Sequence, residues 1–124
     1  MKKEIETPED IKLLVDEFYI KVRKDALLAN VFNTIIRDNW PEHLEKMYGF
    51  WQTVLFHKVA YRGNPFAHHV NLPVQEEHFN RWLFLFTETV DEHFRGDKAL
   101  EAKMRANKIA EMFQFKIKQF HGEL

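Results

Sequence analysis

The sequence predicts an all-α domain of four substantial helices and two short ones. Three observations carry that prediction. Apolar residues recur at three- and four-residue spacing along most of the chain, with no β alternation of any length. Gly and Pro number only four each, so few positions interrupt a helix. Twelve Phe, three Trp and three Tyr in 124 residues are a heavy load of large rings. They fit long helices around something bulky, or an ordinary Phe-rich core. The length fits one domain, residues 1–124, with enough chain to bury that core.

Residues 1–6 are polar and are expected to fray. Thr7-Pro8-Glu9-Asp10 reads as a helix start, with Thr7 as N-cap, Pro8 at the first helical position and acids in the first turn. Ile11, Leu14, Val15, Phe18 and Val22 carry that helix over about 8–23. A short helix follows at about 25–37, through Leu27, Leu28, Val31, Phe32 and Ile35. Asp38-Asn39-Trp40-Pro41 stops it and starts another, capped by Asn39 or Asp38 and running to about 59. The apolar positions of this third helix, from Leu44 to Val59, cover more than one face, so it is flanked on two sides. Residues 60–74 are the least regular stretch: Gly63-Asn64-Pro65 is turn chemistry, and the span between Pro65 and Pro73 allows only a short helical piece. Residues 75–94 form an amphipathic helix on Phe79, Trp82, Leu83, Phe86, Val90 and Phe94. Gly96-Asp97 breaks it, with Asp97 as a cap. The last helix, about 98–120, uses Leu100, Met104, Ile109, Ala110, Phe113, Ile117 and Phe120 as its core stripe.

Composition excludes several functions. Lys plus Arg is 18 and Asp plus Glu is 19, a net charge of −1, which argues against nucleic-acid or membrane-surface binding through bulk charge. No apolar run reaches the roughly 18 residues of a membrane span, and MKKEIETPED has no apolar signal core, so a cytoplasmic protein is expected. The absence of Cys excludes disulfides, Cys-ligated zinc, iron–sulfur clusters, a thiol nucleophile and covalent CxxCH heme attachment.

Seven histidines are the main candidates for chemistry: His43, His57, His68, His69, His78, His93 and His121. There is no HExxH, and no Glu stands three residues before a His, so zinc-protease and di-iron bundle signatures are missing. A lone helical His is more often a partly exposed polar residue than a ligand, the reading given to His57, His78, His93 and His121. His69 stands with Phe66, Val70 and Leu72 on the Pro-bounded segment, where a neutral imidazole can offer one nitrogen to a metal. His43 opens the third helix and shares a face with Met47 and Phe50. Tyr19 and Trp82 bring an O–H and an indole N–H onto apolar faces. They are core aromatics with local partners, or two donors aimed at a bound ligand.

Taken in order and spacing, these pieces resemble the truncated hemoglobins, most closely their group III. Phe18-Tyr19 with Val22, Phe32 thirteen residues after Tyr19, Trp40-Pro41-Glu42-His43 with Phe50-Trp51, Tyr61-Arg62-Gly63-Asn64-Pro65-Phe66 with His69 and Leu72-Pro73, and Phe79-Asn80-Arg81-Trp82-Leu83 with Phe86 carry the likeness. It spans about Ile11 to Phe120, and the Gly-Gly motifs of groups I and II are absent, a group III trait. The resemblance implies a globin-like, truncated two-over-two helical sandwich, with B/E and G/H helix pairs around heme. It implies His69 as the iron ligand and Tyr19, His43 and Trp82 as the distal ligand-binding set. His43 there acts as gate, third polar group or iron ligand when no gas is bound. Phe32, Met47, Phe50, Phe66 and Leu72 are expected to line the heme, and Lys46 and Arg62 to meet its propionates. The choice of His69 over His68 comes from the family spacing alone.

Without Cys the cofactor is expected to be heme b, held noncovalently, with O2, NO and CO as ligands. Donors at Tyr19 and Trp82 imply tight O2 retention, which suits NO detoxification or a peroxidase-like reaction more than transport. Either needs a separate electron-donating reductase, because the chain has no Gly-rich dinucleotide fingerprint. A passive binder, store or sensor is the alternative, as is a heme-free helical interaction domain; a monomer is expected.

Overall fold

The structure, a computed structural model, describes residues 2–57 and 74–120. It contains α1 (Pro8–Lys24), α2 (Ala29–Ile36), α3 (Trp40–Phe56), α4 (Glu76–His93) and α5 (Asp97–Phe120). Among the described residues there is no β-strand, only an isolated bridge between Lys3 and Phe94. No helix there is long and apolar enough to cross a membrane.

Local chemistry explains the ends. Thr7 is the N-cap of α1 and Pro8 its first residue; the Asp10 N–H donates to Thr7 Oγ1 at 3.2 Å while Asp10 Oδ2 accepts from the Thr7 N–H at 3.0 Å. That reciprocal box satisfies donors which a helix start leaves open. Arg37, at φ 54°, ends α2 in the left-handed half of backbone space. His57, at φ 58°, ends α3 there too, an arrangement common after helix ends.

Helix α1 packs on α3, α4 packs on α5, and α1 also lies against α4, so two helix pairs stack on one another. The shared core is Ile11, Leu14, Val15, Phe18 and Val22 of α1, Trp51 and Leu55 of α3, and Leu85, Phe86 and Val90 of α4. α3 is flanked on two sides as its pattern predicts: α1 covers one, and Met47, Phe50 and Trp51 line a cavity on the other.

Three expectations are corrected. Residues 2–6 do not fray. Ile5 is buried in the core, and the Arg95 N–H donates to the Lys3 carbonyl at 2.9 Å. The Glu4 carboxylate accepts the N–H groups of Asp97 at 3.0 Å and Lys98 at 2.7 Å, so Glu4, not Asp97, caps α5. Gly96 is required beside it: its φ is +99°, and a Cβ there would stand 2.3 Å from the Glu4 carboxylate. An anion on a helix N-terminus with two N–H bonds contributes about 1 kcal/mol. Glu4→Gln is therefore expected to lower the melting temperature by about 4 °C in calorimetry. An unchanged melting temperature would show that the cap adds nothing.

Helix α5 departs from its expected core stripe. Leu100 and Met104 are 55% and 53% exposed, and the buried stripe of its first half is Ala99, Ala102 and Ala106. Three small side chains carry the burial there, so the apolar pattern they leave in the sequence is weak. Further along, Ala110, Phe113 and Ile117 are buried as predicted.

Candidate functional site

All five helices contribute to one cavity of about 200 Å³, against ~10–15 Å³ for a single buried water. Interiors pack to crystal-like density, so a void of this size marks a place for a guest. The part of its wall that the described residues form is almost wholly hydrocarbon: Phe32 and Ile36 from α2, Met47 and Phe50 from α3, Phe79 from α4 and Phe113 from α5 are among them. Among the described residues, the polar side chains on it are Tyr19, His43, His78 and Trp82, the last as an indole. That distribution fits a flat apolar body with a few hydrogen-bonding positions, as heme is.

Phe18 braces two of those groups. Its ring meets Tyr19 edge-on at 4.9 Å and Trp82 at 5.6 Å, with Phe86 at 5.3 Å on the core side. Trp82 stacks flat over Phe86 at 5.7 Å and 11°. Tyr19 is 7% exposed, and burial pushes its phenol well above the usual value of 10.0. The phenol therefore keeps its proton and remains a donor.

His43 is held between rings. Tyr19 lies 5.1 Å away at 84° and Trp40 5.6 Å away at 89°. Its Nε2 is buried. Trp40 is fixed in turn: its Nε1–H donates to Asn33 Oδ1 at 3.3 Å, and the Arg23 guanidinium sits 4.5 Å over its face. Helix α2 is anchored from below by Asp25, whose carboxylate accepts the Leu27 and Leu28 N–H groups, each at 3.1 Å, and Arg81 Nε of α4 at 2.7 Å. Leu28 then enters the cavity wall.

Six of the sequence-predicted site residues thus meet at one cavity: Tyr19, Phe32, His43, Met47, Phe50 and Trp82. Lys46 is exposed on α3 and is not part of the wall. Arg62, Phe66, His69 and Leu72 lie outside the described residues. Sequence reasoning missed His78, Phe18 and the Arg23–Trp40–Asn33 support. The signal for His78 was its place four residues before Trp82, on the same helical face. Nothing local in the sequence marks Arg23 or Asn33.

The family model of the bacterial-like globins matches residues 3–118. The chain is 35% identical to the group 3 truncated hemoglobin ctb of Campylobacter jejuni, over 98% of this chain and 99% of that protein. The crystal structure of the group III truncated hemoglobin from Campylobacter jejuni superposes with a TM-score of 0.87 at 36% identity, covering 94% of this chain and 95% of that one. On a match that runs nearly end to end in both sequence and fold, the chain belongs to the bacterial-like globin family, among its group III truncated hemoglobins.

Proposed function

We propose that this globin holds heme b in the cavity and binds O2, NO and CO, with His69 as the iron ligand and Tyr19, Trp82 and His43 on the gas side. The observation that carries this reading is the hydrocarbon cavity with its few convergent polar groups, Tyr19, Trp82 and His43. Membership of a heme-binding, gas-binding family supports it, and the absence of Cys favours a noncovalent cofactor. Bound heme supplies an iron with a coordination position open to a diatomic gas.

The chain supplies the rest. The Tyr19 phenol stays protonated and the Trp82 indole can only donate, so both offer hydrogen to an electron-rich gas ligand. Phe18 and Phe86 hold the two rings in place. His43, wedged between Tyr19 and Trp40, guards the same side. Lys46 and Arg62 serve the propionates. Strong retention of O2 suits removal of NO, with electrons from a separate reductase, and a monomer suffices for this chemistry.

Hemin titration, reduction with dithionite and exposure to CO test the reading. A stoichiometric Soret band that moves on CO addition is expected, and His69→Ala is expected to lose the five-coordinate ferrous spectrum. No specific band, with helices intact by circular dichroism, would leave a globin fold without its cofactor. Rapid NO consumption by the O2-loaded protein with a reductant present is expected for NO removal; none would point to passive binding.

A further inference from the structure

We propose that His78 is a carboxylate anchor, donating a hydrogen bond to a propionate of the porphyrin in the cavity; this rests on the heme reading above. His78 is the third residue of α4, and its Nδ1 accepts the backbone N–H of Gln75 at 3.0 Å. With Nδ1 accepting, the ring's N–H donor is Nε2. A metal-ligating histidine has the reverse arrangement: it donates one N–H to a carbonyl or carboxylate and gives the other lone pair to the metal. In this capped state His78 is therefore unsuited to bind iron. What it can offer is a single, fixed N–H donor.

The residue is half-buried and lines the cavity with Val74 and Phe79 beside it and Trp82 one turn along. Among the described residues that line the cavity with it, none carries a carboxylate. Glu76 and Glu77, its neighbours in the first turn, are exposed and are not part of the wall. A guest in the cavity can supply the acceptor, and heme b carries strong acceptors in its two carboxylates. The two glutamates offset the positive end of α4, so the helix terminus gives no general pull on anions. The donor at His78 is directional and belongs to the side chain.

The test compares hemin with hemin dimethyl ester, whose carboxylates are blocked. Each is loaded into the full chain, and its loss to excess apomyoglobin is timed for wild type, His78→Leu and His78→Gln. In wild type the ester is expected to leave faster than hemin. In His78→Leu the ratio of ester to hemin loss rates is expected to fall about tenfold, the low end for a hydrogen bond to a charged acceptor. His78→Gln, which keeps an N–H donor, is expected to restore most of the ratio. Loss of the helix cap alone would speed both porphyrins equally and leave the ratio unchanged, which would overturn the proposal. If His78→Leu does not fold, His78→Phe repeats the comparison with the cavity wall refilled. If wild type holds neither porphyrin, the heme reading itself falls, and the anchor with it.

Discussion

Tyr19→Phe is expected to speed O2 release from the heme-loaded, reduced protein by about 10- to 100-fold. Phe keeps the ring and its edge contacts to Phe18, Phe32, Trp40 and His43, so the change removes little beyond one O–H. A hydrogen bond to a charged acceptor contributes roughly 1.5–3 kcal/mol, and differences between related complexes fall mainly on dissociation. Trp82→Phe is expected to act in the same direction, though it also trims the stack on Phe86. Stopped-flow displacement of O2 by CO reads both rates. Rates within twofold of wild type for both variants would remove Tyr19 and Trp82 from the gas-binding role.

Asp25→Ala is expected to cost about 3 kcal/mol, the low end for breaking a buried ion pair, because Arg81 is 42% exposed while the Asp25 side chain is 6% exposed. Three donors lose their acceptor at once: the Leu27 and Leu28 N–H groups and Arg81. Chemical denaturation reads this directly, and a change below 1 kcal/mol would show that solvent replaces the carboxylate. The pH dependence has a definite sign. Burial pushes the Asp25 carboxyl up, but the Arg81 guanidinium and the Leu28 and Leu27 N–H groups outweigh it and hold it below 3.8. A depressed carboxyl stabilises fully above its unfolded value, and the gain is lost as pH falls through the folded value. Wild type is therefore expected to lose stability more steeply than Asp25→Ala below about pH 4. Asp10, depressed by the Glu6 and Thr7 N–H groups and Lys3 against its own burial, adds to that slope in both proteins.

What could be read from the sequence divides by the range of the interactions involved. The start of α1 was legible because Thr7, Pro8 and Asp10 complete their cap within four residues. Residues 2–6 were misread because Glu4 and Ile5 find their partners across the fold, some ninety positions away in the case of Glu4. In the pattern of α5, Leu100 and Met104 outweigh Ala102 and Ala106 by hydrophobicity, although the alanines are the buried set. In the site, periodicity placed Tyr19 and Trp82 on inward faces but left them as possible core aromatics; the family likeness gave them a task. For His78 the one signal is its place a turn before Trp82, and a lone helical histidine is otherwise read as a surface residue.

The brace at Phe18 has a further consequence. One hydrocarbon ring supports both Tyr19 and Trp82, so the two donors are mechanically linked and their substitutions need not add. A smaller side chain at position 18 would loosen both rings while every hydrogen-bonding group stayed in the sequence. On the proposed function, gas residence time would then drift through changes in packing alone, and two homologues with identical polar residues need not hold O2 equally long.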